Sequence, residues 1–421
     1  MNQEIDDNSG AVRGVIVPLD IPGLAWSNLL GYYRMGYNCG RLTPYAGSVF
    51  GKLTNINSQQ IENAPLPYTS RVDGQDWATD NTWTHFDVWD APNSSGINGD
   101  RIDWNIVQTS HNIASGNKDI TVLGLISNTS NKVLAITDPG TAQDETNEGQ
   151  SLQVTHYLKL DGNIDLVGES QLLQDEGSIL DNGSSGKLQR EQQGTTNLYN
   201  YNYWSSPVTT QGSNNNSPYT VSSVLRDGTN SGIPRDLQWT GGHDAIGTTS
   251  PITMSRRWLY SYQDFAVNNY SAWVALDENS SLNAGLGFTM KGSGAATELQ
   301  NYVFEGKPNN GTIINTISPN NEAVVGNPYP SAIDANEFIR DNIPGGNTGS
   351  SGSITGTIYY WEHYVSNASH VLQEYEGGYA TYSIIGGVGA IKPDGINAVD
   401  GTSSKTPGQY IPVGQSFFVD A

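Results

Sequence analysis

Carboxylates are the most numerous reactive groups in this chain, 42 Asp and Glu against 20 Lys and Arg. Two of them flanking a glycosidic bond could serve as acid and base in glycoside hydrolysis. Asp161/Asp165/Glu169, Asp87/Asp90 and Glu374/Glu376 are close enough in sequence to be considered. Spacing along strands and turns does not set a through-space separation, and an acidic composition yields such pairs throughout. They read as solvated turn carboxylates. Hard oxygen ligands also suit calcium. The loop Asp138–Glu148 offers Asp138, Asp144, Glu145 and Glu148, and the loop Asp73–Asp80 offers Asp73, Asp76 and Asp80. Neither has the EF-hand spacing, so the alternatives are a calcium loop or an acidic surface turn. No other cofactor is called for.

Other chemistries fail on spacing. None of the six histidines lies in an H-E-x-x-H run, and His363 and His370, seven apart, read as surface or half-buried residues. No G-x-S-x-G elbow occurs; Gly183–Gly186 and Gly349–Gly352 are GSSG turns. Gly387-Val388-Gly389 lacks the third glycine of a dinucleotide fingerprint. Cys39, the lone cysteine, has no histidine nearby in sequence and excludes an intrachain disulfide. Aromatic residues are a different resource. Trp77, Trp83, Trp89 and the run NLYNYNYW suggest a sugar-stacking surface, and alternation places Tyr199, Tyr201 and Tyr203 on one strand face, with Trp204 following. A ladder of this kind either binds glycans or packs its sheet on a neighbour.

The elements that must position these groups are strands. With 48 Gly, 22 Tyr and only 15% charged residues, the composition is that of an all-β protein rather than a disordered acidic one. The formal net charge of −22 opposes binding to nucleic acid or an anionic membrane. No run of about 18 apolar residues is present, so the chain is not read as membrane-spanning. Its first ten residues, MNQEIDDNSG, are too polar for a signal peptide.

Three regions follow from the rhythm. Residues 1–150 read as a β-rich, jelly-roll-like region, with Asp119–Ser127 and Lys132–Ile136 as its clearest strands. Residues 151–208 carry brief strands separated by Gly-bearing corners, which suits a short β-solenoid-like stack or a meander. Residues 209–421 read as a β-sandwich with one helix, Ser331–Asn342, capped by Ser331. Strands are expected there at Tyr219–Val224, Trp258–Tyr262, Ser271–Leu276, Gly287–Lys291, Gln300–Gly306, Thr357–Trp361, Tyr379–Ile385 and Gln415–Val419. Two sharp turns, YNYNYWSSPV (199–208) and AVVGNPYPSAI (323–333), each end a strand-like run at proline, which fixes φ and removes a ladder donor.

These segments also carry a resemblance. YLKLDGNIDLVGESQLLQ and LQREQQGTTNLYNYNYWSSPV (within 157–208), VVGNPYPSAIDANEFI (324–339), TIYYWEH (357–363), GGYATYS (377–383) and IPVGQSFFVDA (411–421) resemble the region preceding the sorting domain in large secreted surface adhesins of gliding-type Bacteroidetes. GYYRM and GKLTNI (within 31–56) are similar to laminin-G-like jelly-roll modules of the same proteins. The resemblance implies export by a type IX secretion system and display at the cell surface. Its implied partners are the secretion machinery, surface glycans or other surface proteins, and copies of the chain itself. It supplies no catalytic residue. The expected function is therefore non-enzymatic attachment or surface assembly. The alternatives are a carbohydrate-binding accessory region of a polysaccharide-degrading enzyme and a subunit of an extracellular fibre.

Overall fold

The computed structural model describes residues 67–421 apart from 85, 87–89, 97–98, 140–148, 267–268, 349–351, 365, 392–402 and 404, together with four two-residue strands between 31 and 52. The fold is all-β, with two short helices among the described residues.

Its first part is a parallel stack. Strands β1 (Tyr68–Thr69), β2 (Gln75–Asp76), β3 (Ile106–Thr109), β4 (Ile113–Ala114), β5 (Ile120–Ser127), β6 (Val133–Ile136), β7 (Ser151–Leu160), β8 (Asn163–Leu166), β9 (Gln171–Gln174), β10 (Ile179–Leu180) and β11 (Lys187–Thr195) build two ladders. One runs β1-β3-β5-β7, with β9 and β10 side by side on β7; the other runs β2-β4-β6-β8-β11. Every rung pairs in parallel. The register of β5 against β7 shifts between Val154 and Tyr157, so each long strand bends into two flat stretches and the stack acquires a third side. Apolar columns run up the interior: Val107-Leu125-Leu158-Leu180 on one side, Ile113-Leu134-Ile164-Leu188 on another, all buried. A turn of this kind cannot bury its apolar residues alone, so each depends on the next. The stack thus begins well before residue 151, and β1–β6 lie inside the region read as jelly-roll-like. The rest of that reading, residues 1–66, falls almost wholly outside the described residues.

Antiparallel pairing ends the stack. β11 pairs along eight residues with the strand Leu299–Pro308, Leu188 opposite Gly306 and Thr195 opposite Leu299. That strand also pairs Leu225–Asp227 and Val208–Thr209. Beyond it lie two antiparallel sheets. β12 (Tyr201–Trp204), β13 (Tyr260–Ser261), β14 (Val274–Ala275) and β15 (Phe288–Lys291) form one, in the order β12-β15-β13-β14. β16 (Asn321–Gly326), β17 (Thr357–His363), β18 (Gly377–Ser383), β19 (Gly386–Ile391) and β20 (Ser416–Asp420) form the other, in the order β16-β20-β17-β18-β19, with Phe265–Ala266 at its outer edge. Alternation along β20 divides the second sheet's contacts. Phe417 and Val419 face Ala335 and Ile339 of the eight-residue helix Ala335–Asn342, whereas Phe418 faces Tyr203, Tyr262 and Trp273 of the first sheet.

Several expected strands are shorter or different. Val221–Val224 is a helical turn held by a Thr220–Ser223 capping box. Trp258 and Ala272 close single 3-10 turns, leaving Tyr260–Ser261 and Val274–Ala275 as strands. The helix starts later than expected because Ile333 and Asp334 pair with Ile411 and Tyr410. Asp334, not Ser331, is its cap, accepting from the Asn336 and Glu337 amides. Leu158→Ala, at the centre of an interior column, will lower stability by about 3 kcal/mol. Thr121→Ala on the outer face will change it by less than about 0.5 kcal/mol. Urea unfolding of both variants checks the assignment of inside and outside.

Candidate functional site

The two proline turns meet where the stack joins the sandwich. Ser205, Ser206, Asn309 and Asn327 are all buried there. Asn309 Nδ2 donates to the carbonyls of Ser206 (3.3 Å) in the first turn and Pro328 (3.0 Å) in the second. Asn327 Nδ2 donates to Ser331, Ile411 and Pro412 carbonyls at 2.7, 3.2 and 3.1 Å, and its Oδ1 accepts from the Tyr329 amide at 2.9 Å. Gly326 has to be glycine, because a Cβ there would sit 2.6 Å from that of Ser205. The second turn also covers the edge of the stack: the Leu172 amide donates to the Pro330 carbonyl at 3.0 Å, and the Ala332 amide donates to Gln171 Oε1 at 2.8 Å. The distinctive wording of both segments therefore encodes a seam.

A second cluster, on the Tyr201 face of the first sheet, gathers two bases whose pKa values are strongly lowered. Lys291 ends β15 and is 2% exposed. Its Nζ lies 3.6 Å from the ring centre of Trp258, 4.8 Å from Tyr201 and 4.9 Å from Tyr375. It is hydrogen-bonded to Tyr375 Oη and to His370 Nδ1, the latter at 3.0 Å. His370 Nε2 reaches the exposed Asp244 carboxylate at 2.7 Å. The imidazole also stacks on Trp258, centroids 4.7 Å apart and planes 16° from parallel, and touches Tyr199 at 4.7 Å. Burial pushes the Lys291 ammonium down to about 7, with Asp244 pulling the other way. His363, at the end of β17 in the second sheet, accepts at Nε2 from the Tyr201 amide (2.8 Å) and the Trp361 indole (3.1 Å). Burial and then the Lys291 charge push it down to about 4.

An amine titrating near neutrality beside a His–Asp pair has the makings of a nucleophile or base. Access decides against that here: three rings and the imidazole surround Nζ, and a reacting carbon has no approach. The cluster holds elements together. Beside it an open, shallow depression is lined by Thr195, Asn197, Tyr199, Gly294, Glu298 and Ser366. Asn197 is already committed, accepting from the Tyr199 and Asn200 amides and donating to the Asn367 carbonyl.

The aromatic residues singled out from the sequence separate into different surroundings. Trp77 and Trp83 are 0% and 1% exposed, packed edge to face at 4.8 Å as a plug on the first turns of the stack, with both indoles bonded to backbone carbonyls. Trp204 is buried against Tyr302 and Phe304. None of these three offers a ring face to a sugar. Tyr199, Tyr201 and Tyr203 do share one face, which is turned towards the protein: Tyr199 on His370, Tyr201 on Trp258 and Tyr375, Tyr203 on Trp273 and Phe418. Trp89 lies outside the described residues, whereas Trp104, not singled out as a site, is 68% exposed.

The acidic loops are likewise dispersed. Asp73 is paired with Lys132 at 2.8 Å, Asp80 accepts from the Ala91 amide, and Asp76 sits beside Gly116. Asp138 accepts from the Glu169 amide at 3.1 Å, while Asp144, Glu145 and Glu148 lie outside the described residues. Among the described residues no three His, Cys, Asp or Glu side chains converge as a metal site. No helix among them is long and apolar enough to cross a membrane.

Residues 242–421 match the family model of a domain of unknown function, DUF8693. No curated protein and no solved structure matches the chain. The matched segment contains Asp244, Trp258, Lys291, His363, His370 and Tyr375. It does not contain Tyr201, whose strand β12 is hydrogen-bonded to β15. The cluster therefore draws one wall from residues upstream of the match.

Asn327→Ala will cost about 2 kcal/mol, since it leaves several buried backbone groups without their partner; thermal unfolding checks this. His363 has a folded pKa of about 4 against an ordinary 6.5, so the unfolded chain binds the extra proton between those values. Stability will consequently fall as pH is lowered from 6.5 to 4, by up to about 3 kcal/mol from this group. His363→Gln, measured by urea unfolding across that range, will flatten the slope.

Proposed function

We propose that this chain is a non-enzymatic, extracellular scaffold region of a bacterial surface adhesin of the Bacteroidetes type, exported through a type IX system. It works in attachment or surface assembly, through surface glycans, other surface proteins or copies of itself. The observation that carries this reading is the seam. The residues that prompted the resemblance, in WSSPV, GNPYPSAI and IPVGQ, are those whose side chains and backbone fasten a parallel stack to a sandwich. Such a seam suits a chain whose task is to hold a shape outside the cell.

The aromatic ladder supports the same choice over a carbohydrate-binding accessory role, because its rings are used between sheets. Two measurements test the proposal. A strain lacking the gene will lose surface attachment, and the exported protein will be labelled by antibody on intact cells. Reducing sugar released from polysaccharide by the purified protein, or attachment unchanged in the deletion strain, would overturn it.

A further inference from the structure

Lys291 has two hydrogen-bonding partners and no carboxylate in contact. An uncharged amine fits this environment fully: one N–H donates to His370 Nδ1, the lone pair accepts from Tyr375 O–H, and the remaining N–H faces the Trp258 ring at 3.6 Å. An ammonium donates to Tyr375 Oη and His370 Nδ1 and gains from the three rings, but its charge is then buried with Asp244 reachable only through His370. The partners come from separate elements. Tyr201 is on β12, Trp258 on the turn after Thr253–Ser255, and His370 and Tyr375 belong to the connection between β17 and β18.

That connection is anchored in two places. Its first half is tied by Asn367, which donates from its amide N–H and its side chain to Asn200 Oδ1 and receives the Glu376 amide at its own Oδ1. Its second half carries Val371 and Leu372 exposed at 48% and 39%, and His370 and Tyr375 are what it presses onto the first sheet.

We propose that Lys291 is a proton-controlled latch: uncharged, it holds the 369–375 turn against the first sheet, and on protonation it lets that turn open and bare the Tyr199, Tyr201 and Trp258 rings. The sign follows from linkage. A lysine whose closed-state pKa is depressed towards 7 and whose open-state pKa is ordinary favours the open state as pH falls through that range. The titratable groups around Nζ are Tyr201 from β12, His363 from β17, His243 and Asp244 from the 241–246 loop, and His370 and Tyr375 from the turn itself, with His243 packed on Trp258 and His370 at 6.0 and 5.9 Å. His363 titrates near 4, below the window.

Hydrogen exchange resolved to peptides, corrected for intrinsic rates, tests this on the whole chain. Opening of 369–375 will rise on the order of tenfold from pH 8.5 to pH 6, while the β7 core stays unchanged. In Lys291→Met the pH dependence of that peptide will vanish. A wild-type turn that opens equally at both pH values overturns the proposal, as does a Lys291→Met protein that keeps the dependence. Should the variant not fold, the Lys291 Cε resonance of the wild-type protein decides: titration near neutrality supports the latch, and titration near 10 overturns it.

Discussion

A stack of parallel strands leaves a row of unpaired amides and carbonyls at each exposed edge, and the rest of this structure is arranged around closing those rows. On one side β11 passes directly into antiparallel pairing with Leu299–Pro308, so the ladder continues into the sandwich without a break. On the other side β9 is met by Pro330 and Ala332, and the residue before β10 by Asn310, whose Nδ2 reaches the Ser178 carbonyl at 2.7 Å. Proline suits the second edge because it presents a carbonyl and has no amide of its own to satisfy. The same demand explains Arg190. The interior column Ile136-Leu166 ends on that residue, whose guanidinium turns onto the Gly168 carbonyl and finishes the core with a donor where the stacking stops.

Once the edges are fixed, the position of the sandwich is fixed as well. β12 leaves the end of the stack and must pair with β15, which brings Tyr201 and Tyr203 to the same side as the second sheet. Two contacts then follow from one alternation. Tyr203 enters the apolar layer with Phe418, and Tyr201 supplies a wall of the Lys291 cluster. The cluster is in this sense a consequence of how the stack is closed, although it lies apart from the seam.

Much of the fold class was legible because composition and turn chemistry act locally. The stack was legible only over 151–208, where turns are short. Its aligned positions Val107, Leu125, Leu158 and Leu180 are 18, 33 and 22 residues apart, since insertions of different length leave the corners, and no fixed period survives. Tyr199–Tyr203 were correctly placed on one face, yet alternation says nothing about what the face meets. Trp77 and Trp83 looked available because their surroundings are polar in sequence; a chain doubling back to plug an end buries them all the same. Lys291 was passed over. The signal was present in GFTMK, where a lysine ends a strand buried on both faces and so cannot reach water by alternation. His363, at the end of the aromatic run TIYYWEH, was read as a surface or half-buried residue; it is half-buried, but its bond to the Tyr201 amide joins segments far apart in sequence.

The seam and the cluster solve the burial of polar groups differently. At the seam the work is done by Asn309, Asn327, Ser205 and backbone, none of which titrates, so its geometry is indifferent to pH and only weakly sensitive to salt. In the cluster Lys291 and His363 are both buried bases with depressed pKa values, and both therefore favour the closed arrangement at the higher pH. With only 20 Lys and Arg in the chain, this basic side chain is set among rings rather than beside a carboxylate. The two sites therefore differ in kind: the polar groups that fasten the two proline turns carry no titrating side chain, whereas the Lys291 cluster is built around two bases whose pKa values burial lowers.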